Sequence, residues 1–407
     1  MPYSLLEAKE ISELCTVVDC EHKTAPYVGS SNYLVVRTSN VRNGQLLMED
    51  MKFTTSEGYK EWTQRAVPEY GDVLFTREAP AGESCLVPYN TKVCMGQRMV
   101  MLRPMKEKTD PVFLSLILNT ERTKADISRL SIGSTVSRIN IADIKKLKVS
   151  SPPLPEQQKI AKILSTWDKA ITTTEKLIAN SKQQKKALMQ QLLTGKKRLV
   201  NPETGKEFEG EWNRYSLSDL VDIDRKSLGK KTHEDFEFKY ISLSDVAGGV
   251  ISKDLENVVF SNAPSRARRI LQDGDILLST VRPNLKGFAK VTRSYSECIA
   301  STGFSVLTSK KQVSADYVYQ YIFGAHITGQ IDSLVVGSNY PAINSSDVGG
   351  LKVYCPTYNE QQKIASVLTA ADKEIELLEE KLAHLKQEKK ALMQQLLTGK
   401  RRVKIAA

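Results

Sequence analysis

Glu156-Gln-Gln-Lys-Ile-Ala161 opens a stretch that closes on Ala187-Leu-Met-Gln-Gln-Leu-Leu-Thr-Gly-Lys196, and the chain then writes that stretch again. The second copy opens at Glu360-Gln-Gln-Lys-Ile-Ala365 and closes at Ala391-Leu-Met-Gln-Gln-Leu-Leu-Thr-Gly-Lys400. Glu156 to Glu360 and Lys196 to Lys400 are both 204 positions, so no gap separates the copies. A gapless repeat states how a molecule is built before any local motif does.

Each copy reads as one long helix. Ile160, Leu164, Trp167, Ile171, Ile178, Leu188 and Leu192 follow steps of three and four, as do Ile364, Leu368, Ala371, Ile375, Leu378, Leu382, Leu385, Leu392 and Leu396. That is a heptad seam. Pro155 suits a first helical turn, and Gly195 and Gly399 stand where a left-handed C-cap is wanted. Some 39 residues of helix span about 58 Å, and a single helix of that length cannot bury its own seam. The other copy, matched in length, is the expected partner; two separate coiled coils with outside chains are the alternative. Thr174, Ser181, Lys185 and Lys389 interrupt the seam, and polar seam positions fix register at some cost in stability.

The 407 residues carry 41% hydrophobic content, enough for real cores, and a net charge of +11. No apolar run nears the roughly 18 residues a membrane helix needs. Glu7, Lys9, Glu10 and Glu13 argue against a signal peptide, so a cytoplasmic protein without membrane attachment is expected. Cys15, Cys20, Cys85, Cys94, Cys298 and Cys355 show no C-x-x-C spacing and read as reduced packing residues. Lys182, Lys185, Lys186, Lys196, Lys197 and Arg198 crowd the end of the first long helix. Lys386, Lys389, Lys390, Lys400, Arg401, Arg402 and Lys404 repeat the pattern. Such runs suit either a solvated helix end or a polyanionic partner.

Around the helices lie two globular stretches. In the first, Tyr33–Val36, Asp72–Phe75 and Met99–Leu102 read as strands. A helical pattern runs from Asp110-Pro111 to Leu130, a short helix spans 139–144, and Leu147–Val149 reads as a strand. After the turn-rich Asn201-Pro-Glu-Thr-Gly205, the second repeats the frame loosely. Tyr240–Leu243 answers Tyr33–Val36, and Gly274-Asp275-Ile276-Leu277 answers Gly71-Asp72-Val73-Leu74. Gly337-Ser338, Ile343-Asn344, Asp347 and Leu351-Lys352-Val353 match Gly133-Ser134, Ile139-Asn140, Asp143 and Leu147-Lys148-Val149. Between these anchors the two hardly agree. One frame with two contents suits two reading heads with different targets.

Catalytic motifs are missing. Gly229-Lys230-Lys231-Thr232 lacks the upstream glycine of a phosphate-binding loop. Ser151-Pro-Pro-Leu154 lacks the amide and aromatic residues of an adenine-methyltransferase motif. His22, His233, His326 and His384 are scattered. No catalysis is expected of this chain; a fused methyltransferase or nuclease with unrecognised motifs, or a coiled-coil scaffold without DNA specificity, are the rival readings.

Pro153-Leu-Pro-Glu-Gln-Gln-Lys-Ile-Ala161 with Gln191-Leu-Leu-Thr-Gly-Lys196, repeated at 360–365 and 395–400, resembles the conserved regions of the specificity subunit of type I restriction–modification systems. The likeness covers the whole chain, although Thr357 and Asn359 replace two prolines of the first copy. It implies an α+β protein of two globular target-recognition domains joined by two long antiparallel helices, an intramolecular coiled coil with pseudo-twofold symmetry. The expected boundaries are 1–152 for the first recognition domain and 153–199 for the first helix, then 200–355 for the second domain and 356–407 for the second helix and basic tail. The resemblance further implies that each domain reads one half of a bipartite, asymmetric site in double-stranded DNA. Two modification subunits would bring S-adenosylmethionine chemistry, and two restriction subunits would bring ATP and Mg-dependent translocation and cleavage.

DNA contacts should be polar or cationic and lie on loops between frame elements. The candidates are His22, Lys23, Thr24, Arg37, Arg42, Arg77 and Ser134 in the first domain. In the second they are Lys230, Lys231, Thr232, Arg266, Arg268, Arg269, Arg282 and Lys286. Arginines suit guanine edges and lysines suit phosphates. Arg282, directly after the run Ile276–Val281, is the leading candidate.

Overall fold

The repeated stretch forms two helices of 39 residues each, Leu154–Leu192 and Tyr358–Leu396. They belong to a computed structural model that describes residues 6–22, 25–132, 137–335 and 341–405. Every apolar seam position named above is buried or half-buried, so the 3.5-residue period does mark the packed face. Gly195 and Gly399 take left-handed φ values of 68° and 74° and end their helices as expected. No described helix is long and apolar enough to cross a membrane.

The chain divides into two compact units, Met1–Glu175 with Glu380–Ala407, and Lys176–Glu379. The division points Glu175 and Glu379 are themselves 204 positions apart, so the units obey the repeat. Within the first unit Glu156 pairs with Arg402, Asp168 with Lys389 and Glu175 with Lys386. Numbers rise along one helix as they fall along the other, so the segments run antiparallel. Within the second unit Glu360 pairs with Arg198, Asp372 with Lys185 and Glu379 with Lys182, each the 204-shifted counterpart of a first-unit pair. Three of the polar seam residues reach across to an acid: Lys185 and Lys389 in these pairs, and Ser181, whose Oγ donates to Glu374 Oε1 at 3.3 Å. The fourth, Thr174, is 4% exposed and donates to its own Ala170 carbonyl. The four pairs other than those of Glu156 and Glu360 are exposed or half-exposed and contribute roughly 0–1 kcal/mol each; their larger effect is on register.

The repeated Gln after Glu ties helix to head. The buried Gln157 side chain accepts from the Asp110 N–H at 3.0 Å and donates to the Pro152 and Lys108 carbonyls at 2.9 and 3.0 Å. Gln361 accepts from the Ser314 N–H and donates to the Pro356 carbonyl, both at 2.9 Å. Asp110 and Ser314 are the N-caps of helices Pro111–Leu118 and Ala315–Ile322. A flexible amide with donor and acceptor at one tip can satisfy both strand-end carbonyl and helix-start N–H, which no apolar residue could.

The two units share a sheet plan that their sequences hide. In the first, Cys15–Asp19, Met99–Pro104, Val73–Thr76 and Ser84–Leu86 form an antiparallel four-stranded sheet in that order. In the second, Val221–Ile223, Phe304–Ser309, Ile276–Ser279 and Phe288–Lys290 do the same. A second sheet in each contains one parallel pair, Tyr33–Val36 with Lys92–Met95 and Glu237–Ile241 with Ile299–Ser301. The second unit adds a strand there, Ala267–Ile270. The shared Gly-Asp has a common cause. Gly71 and Gly274 sit at φ 97° and 87°, and the following Asp72 and Asp275 carboxylates accept from the N–H groups of Glu69 and Gln272 to close the turn.

One expectation is corrected. The helical pattern from Asp110 to Leu130 is two helices, Pro111–Leu118 and Glu121–Leu130. Asn119 turns its amide back to the Ser84 and Ser115 carbonyls, and Thr120 caps the second helix by accepting from the Thr123 N–H. Side-chain capping here outweighs continued apolar periodicity. In each unit the helix ends join the head core. Ile160, Leu164, Leu396 and Leu397 pack with Ile11, Phe113 and Leu114, and Leu192, Leu193, Ile364 and Leu368 pack with Leu217, Tyr317 and Tyr321.

Candidate nucleic-acid interface

In the first unit the strand Val73–Thr76 runs straight into Arg77, whose backbone is fixed from two sides. Its N–H donates to the Arg98 carbonyl at 2.8 Å, and its carbonyl accepts from the Ile139 N–H at 3.0 Å. The Arg77 side chain is buried, 5% exposed as a residue, with Nη1 donating to Asp19 Oδ1 at 3.1 Å. Asp19 Oδ2 lies 2.6 Å from His22 Nε2. Arg77 therefore supports, through Asp19, a half-exposed imidazole on a left-handed backbone at φ 55°. Cys20 joins this group, its Sγ 3.8 Å from His22 Nδ1, and the three ligand-type side chains lie within 4.8 Å of one another. The Arg77 charge on Asp19 opposes a cation there.

Arg37 and Arg42 are half-buried and spend guanidinium donors on carbonyls of their own loop, Asp50 for the first and Thr38 and Val41 for the second. Lys23, Thr24 and Ser134 lie outside the described residues. The structure adds three residues that the sequence did not single out. Glu78 lies 3.0 Å from Arg98 Nε and 3.4 Å from Arg138 Nε, and both arginine side chains are 55% exposed. Each stands in a polar stretch of sequence between apolar runs, which is the signal that points to them.

The second unit builds the corresponding loop differently. After Ile276–Ser279 the chain bridges Val281 to Ala342, as the first unit bridges Glu78 to Arg138. Arg282 follows at φ 48°, its N–H donating to the Pro341 carbonyl at 2.7 Å. A short 3-10 turn, Pro283–Leu285, leads to Lys286 at φ 52°. Arg282 and Lys286 are both exposed. Thr280 N–H reaches the Gly303 carbonyl and Thr302 N–H reaches the carbonyl of exposed Arg266, so Arg266 and Arg282 belong to one hydrogen-bonded group of loops. Arg268 lies over the Phe260 ring at 4.8 Å. Arg269 pairs with Asp224 at 2.8 Å, and Asp224 also accepts from Ser345 Oγ and the Val306 N–H. Lys230 and Lys231 are exposed beside Thr232, which closes a turn onto the Gly229 carbonyl. That turn follows Leu228, whose N–H donates to Arg268.

Chemically these groups offer fixed cations and amide donors, suited to a polyanion. The thiols are poor nucleophiles. Burial pushes Cys15, Cys85, Cys94 and Cys355 up to about 12.

Two heads of one plan, each with a cationic loop cluster after the same central strand and each fused to the ends of long antiparallel helices, define a tandem recognition protein. The chain belongs to the family described as type I restriction modification DNA specificity domain, which it matches twice, at residues 4–182 and 209–387. It is a DNA-recognition subunit and not the catalytic component of such a system. It is 28% identical over 355 residues, 82% of this chain and 79% of the relative, to a protein of Methanocaldococcus jannaschii provisionally named the type I restriction enzyme MjaX specificity subunit. To the MjaVIII specificity subunit of the same organism it is 25% identical, over 77% of this chain and 75% of that one. The crystal structure of the type I restriction–modification S subunit from M. genitalium covers 96% of both chains with a TM-score of 0.58 at 14% identity, a likeness of fold.

Proposed function

We propose that each unit reads one half of a bipartite, asymmetric site in double-stranded DNA. The recognition domains would be residues 1–152 and 200–355, and the helical segments 153–199 and 356–407. The observation that supports this is a common sheet plan carrying different loop chemistry at the same place. Arg282 and Lys286 stand in the second unit's loop where the first presents Glu78 with Arg98 and Arg138. A shared frame gives two copies of one modification subunit near-equivalent surfaces, while divergent loops give each half-site its own sequence. Two such subunits and two restriction subunits would complete the assembly in the cytoplasm and supply the chemistry. The candidate DNA contacts are the exposed His22, Lys230, Lys231, Arg266, Arg282 and Lys286, with Thr232 and, outside the described residues, Lys23, Thr24 and Ser134. Arg37, Arg42, Arg77, Arg268 and Arg269 would act in place, holding loops or supporting neighbours.

The test is a chimaera in which residues 1–152 come from another member of the family. Its adenine methylation motif in cells with the modification subunit should differ from the parent in one half only. A motif changed in both halves would refute independent reading.

A further inference from the structure

Three charged residues of the first unit are placed more firmly than their ion pairs require. Arg77-Glu78 is a two-residue platform. Arg77 N–H donates to the Arg98 carbonyl, Arg77 accepts from Ile139, and Glu78 bridges to Arg138 in antiparallel fashion. Arg138 is also paired to Ile132 through both backbone groups, at 3.0 and 2.8 Å. Arg98 takes a left-handed φ of 70°, a conformation that costs a non-glycine residue free energy and is found where surrounding structure imposes it. Both arginines are therefore rooted on the backbone segment whose carboxylate they share. Glu78 is 18% exposed in its side chain while both guanidinium-bearing side chains are 55% exposed. In each case Nε is the nitrogen nearest the carboxylate. Among the described residues no hydrogen bond engages Nη1 or Nη2 of either arginine.

An exposed ion pair contributes little to stability, so stability does not account for this arrangement. A carboxylate shared by two exposed guanidinium groups does something else: it holds both side chains over one backbone platform and leaves their Nη1–Nη2 forks unengaged by the described residues. That fork is the geometry that meets the O6 and N7 acceptors of guanine in the major groove. Two positive charges on one negative leave a net cation, which suits DNA, and an unengaged fork on a backbone-fixed arginine suits a base edge.

We infer that Arg98 and Arg138 are base-reading residues of the first unit, each taking the edge of one guanine in two neighbouring G·C pairs, and that Glu78 is the positioning residue for both. This rests on the reading of the first unit as a DNA-reading head. The first unit thus reads from a pair of arginines in the place where the second unit presents Arg282.

The experiment uses the full chain co-purified with its modification subunit, and selects bound sequences from a random duplex pool at one fixed salt concentration. The variants are Arg98→Ala, Arg138→Ala, Arg98→Lys and Glu78→Gln, each checked for an unchanged melting temperature. The parent should select a half-site with G·C at two neighbouring positions. Arg98→Ala and Arg138→Ala should each lower the preference for guanine at one of them by roughly ten- to a hundredfold. Arg98→Lys, which keeps charge and loses the fork, should relax the same position as Arg98→Ala. Glu78→Gln should broaden both positions at unchanged melting temperature, a readout that a merely structural residue would not move. The other half-site should stay as it was. Variants that select the parental motif, or that weaken binding evenly across sequences, overturn the inference and leave DNA reading intact. A parent chain that selects no sequence overturns the DNA-reading function itself.

Discussion

Arg198 lays its guanidinium flat against the carboxylate of Glu360, Nε to Oε1 and Nη2 to Oε2, each at 2.6 Å. Arg402 repeats the arrangement on Glu156 at 2.9 and 2.7 Å. Both acids are buried, Glu360 at 0% and Glu156 at 3% exposure. The first letter of the repeated Glu-Gln-Gln is therefore a buried charge neutralised from beyond the other helix's end.

Removing one member should cost far more than removing both. Arg198→Ala strands Glu360 in the interior and should lower unfolding stability by about 3–5 kcal/mol. Replacing Arg198 and Glu360 together by Met should restore most of that loss, since an apolar pair of similar volume leaves no charge to desolvate. Denaturant unfolding of the three proteins decides it; equal losses in single and double variants would remove the pair from its role.

Acid should find Glu156. The Arg402 guanidinium beside it, helped by the Val403 N–H, holds its carboxyl below the usual carboxylate range against the opposing effect of burial. A carboxyl depressed on folding stabilises fully above its unfolded value of about 4.3 and loses that contribution as pH falls through the folded value. Glu156→Gln should therefore be less stable than the parent near pH 7, and the difference should shrink as pH drops from about 5 toward 2. Thermal melts across that range test the sign.

Gln157→Leu leaves the Asp110 N–H and the Pro152 carbonyl without their partner. Each group left unpaired in the interior costs about 1–3 kcal/mol. A loss of at least about 2 kcal/mol is expected, with Gln361→Leu doing the same to the second unit. Equilibrium unfolding is the measurement, and an unchanged midpoint would count against the clamp.

Legibility in the sequence followed the range of the interactions. The heptad seam depends on neighbours three and four residues away, and every seam position read from the sequence is packed. The partners of the polar seam residues were out of reach, because Lys185 meets Asp372 and Lys389 meets Asp168 only once the register of two distant helices is set. The strand plan was half visible. Val73–Phe75 and Met99–Leu102 are continuous apolar runs, whereas Ser84–Leu86 is three residues long and carries no pattern. In the candidate interface, loop cations could be listed by type but not sorted by surroundings. Arg77 looks like any loop arginine until Asp19, 58 positions earlier, buries it. Arg98 and Arg138 are drawn together by backbone hydrogen bonds that no spacing announces.

All six cysteines are buried, and burial pushes four of the thiols up to about 12. The native protein should resist alkylation at pH 8, and all six thiols should react once denaturant is added. Fast labelling of the folded chain would contradict the packing.

Arg282→Ala should relax one position of the half-site assigned to the second unit, at a cost of roughly 1–3 kcal/mol if its guanidinium reads a base. Binding weakened evenly across sequences would make it a phosphate contact. Motif and affinity both unchanged would take it out of the interface.

The division of the chain at Glu175 and Glu379 has a consequence in time. The second unit is one continuous segment, complete when residue 379 has been synthesised, while the first waits for Glu380 onward to supply its missing helix. At roughly 5–20 residues per second, some 200 intervening residues take about 10–40 s. During that interval the apolar face of Leu154–Glu175, and the buried carboxylate of Glu156, have no Leu396 or Arg402 to meet. The head that is made first is thus the one that finishes folding last, and a chain ended just after residue 379 would have a complete second unit and an open first one.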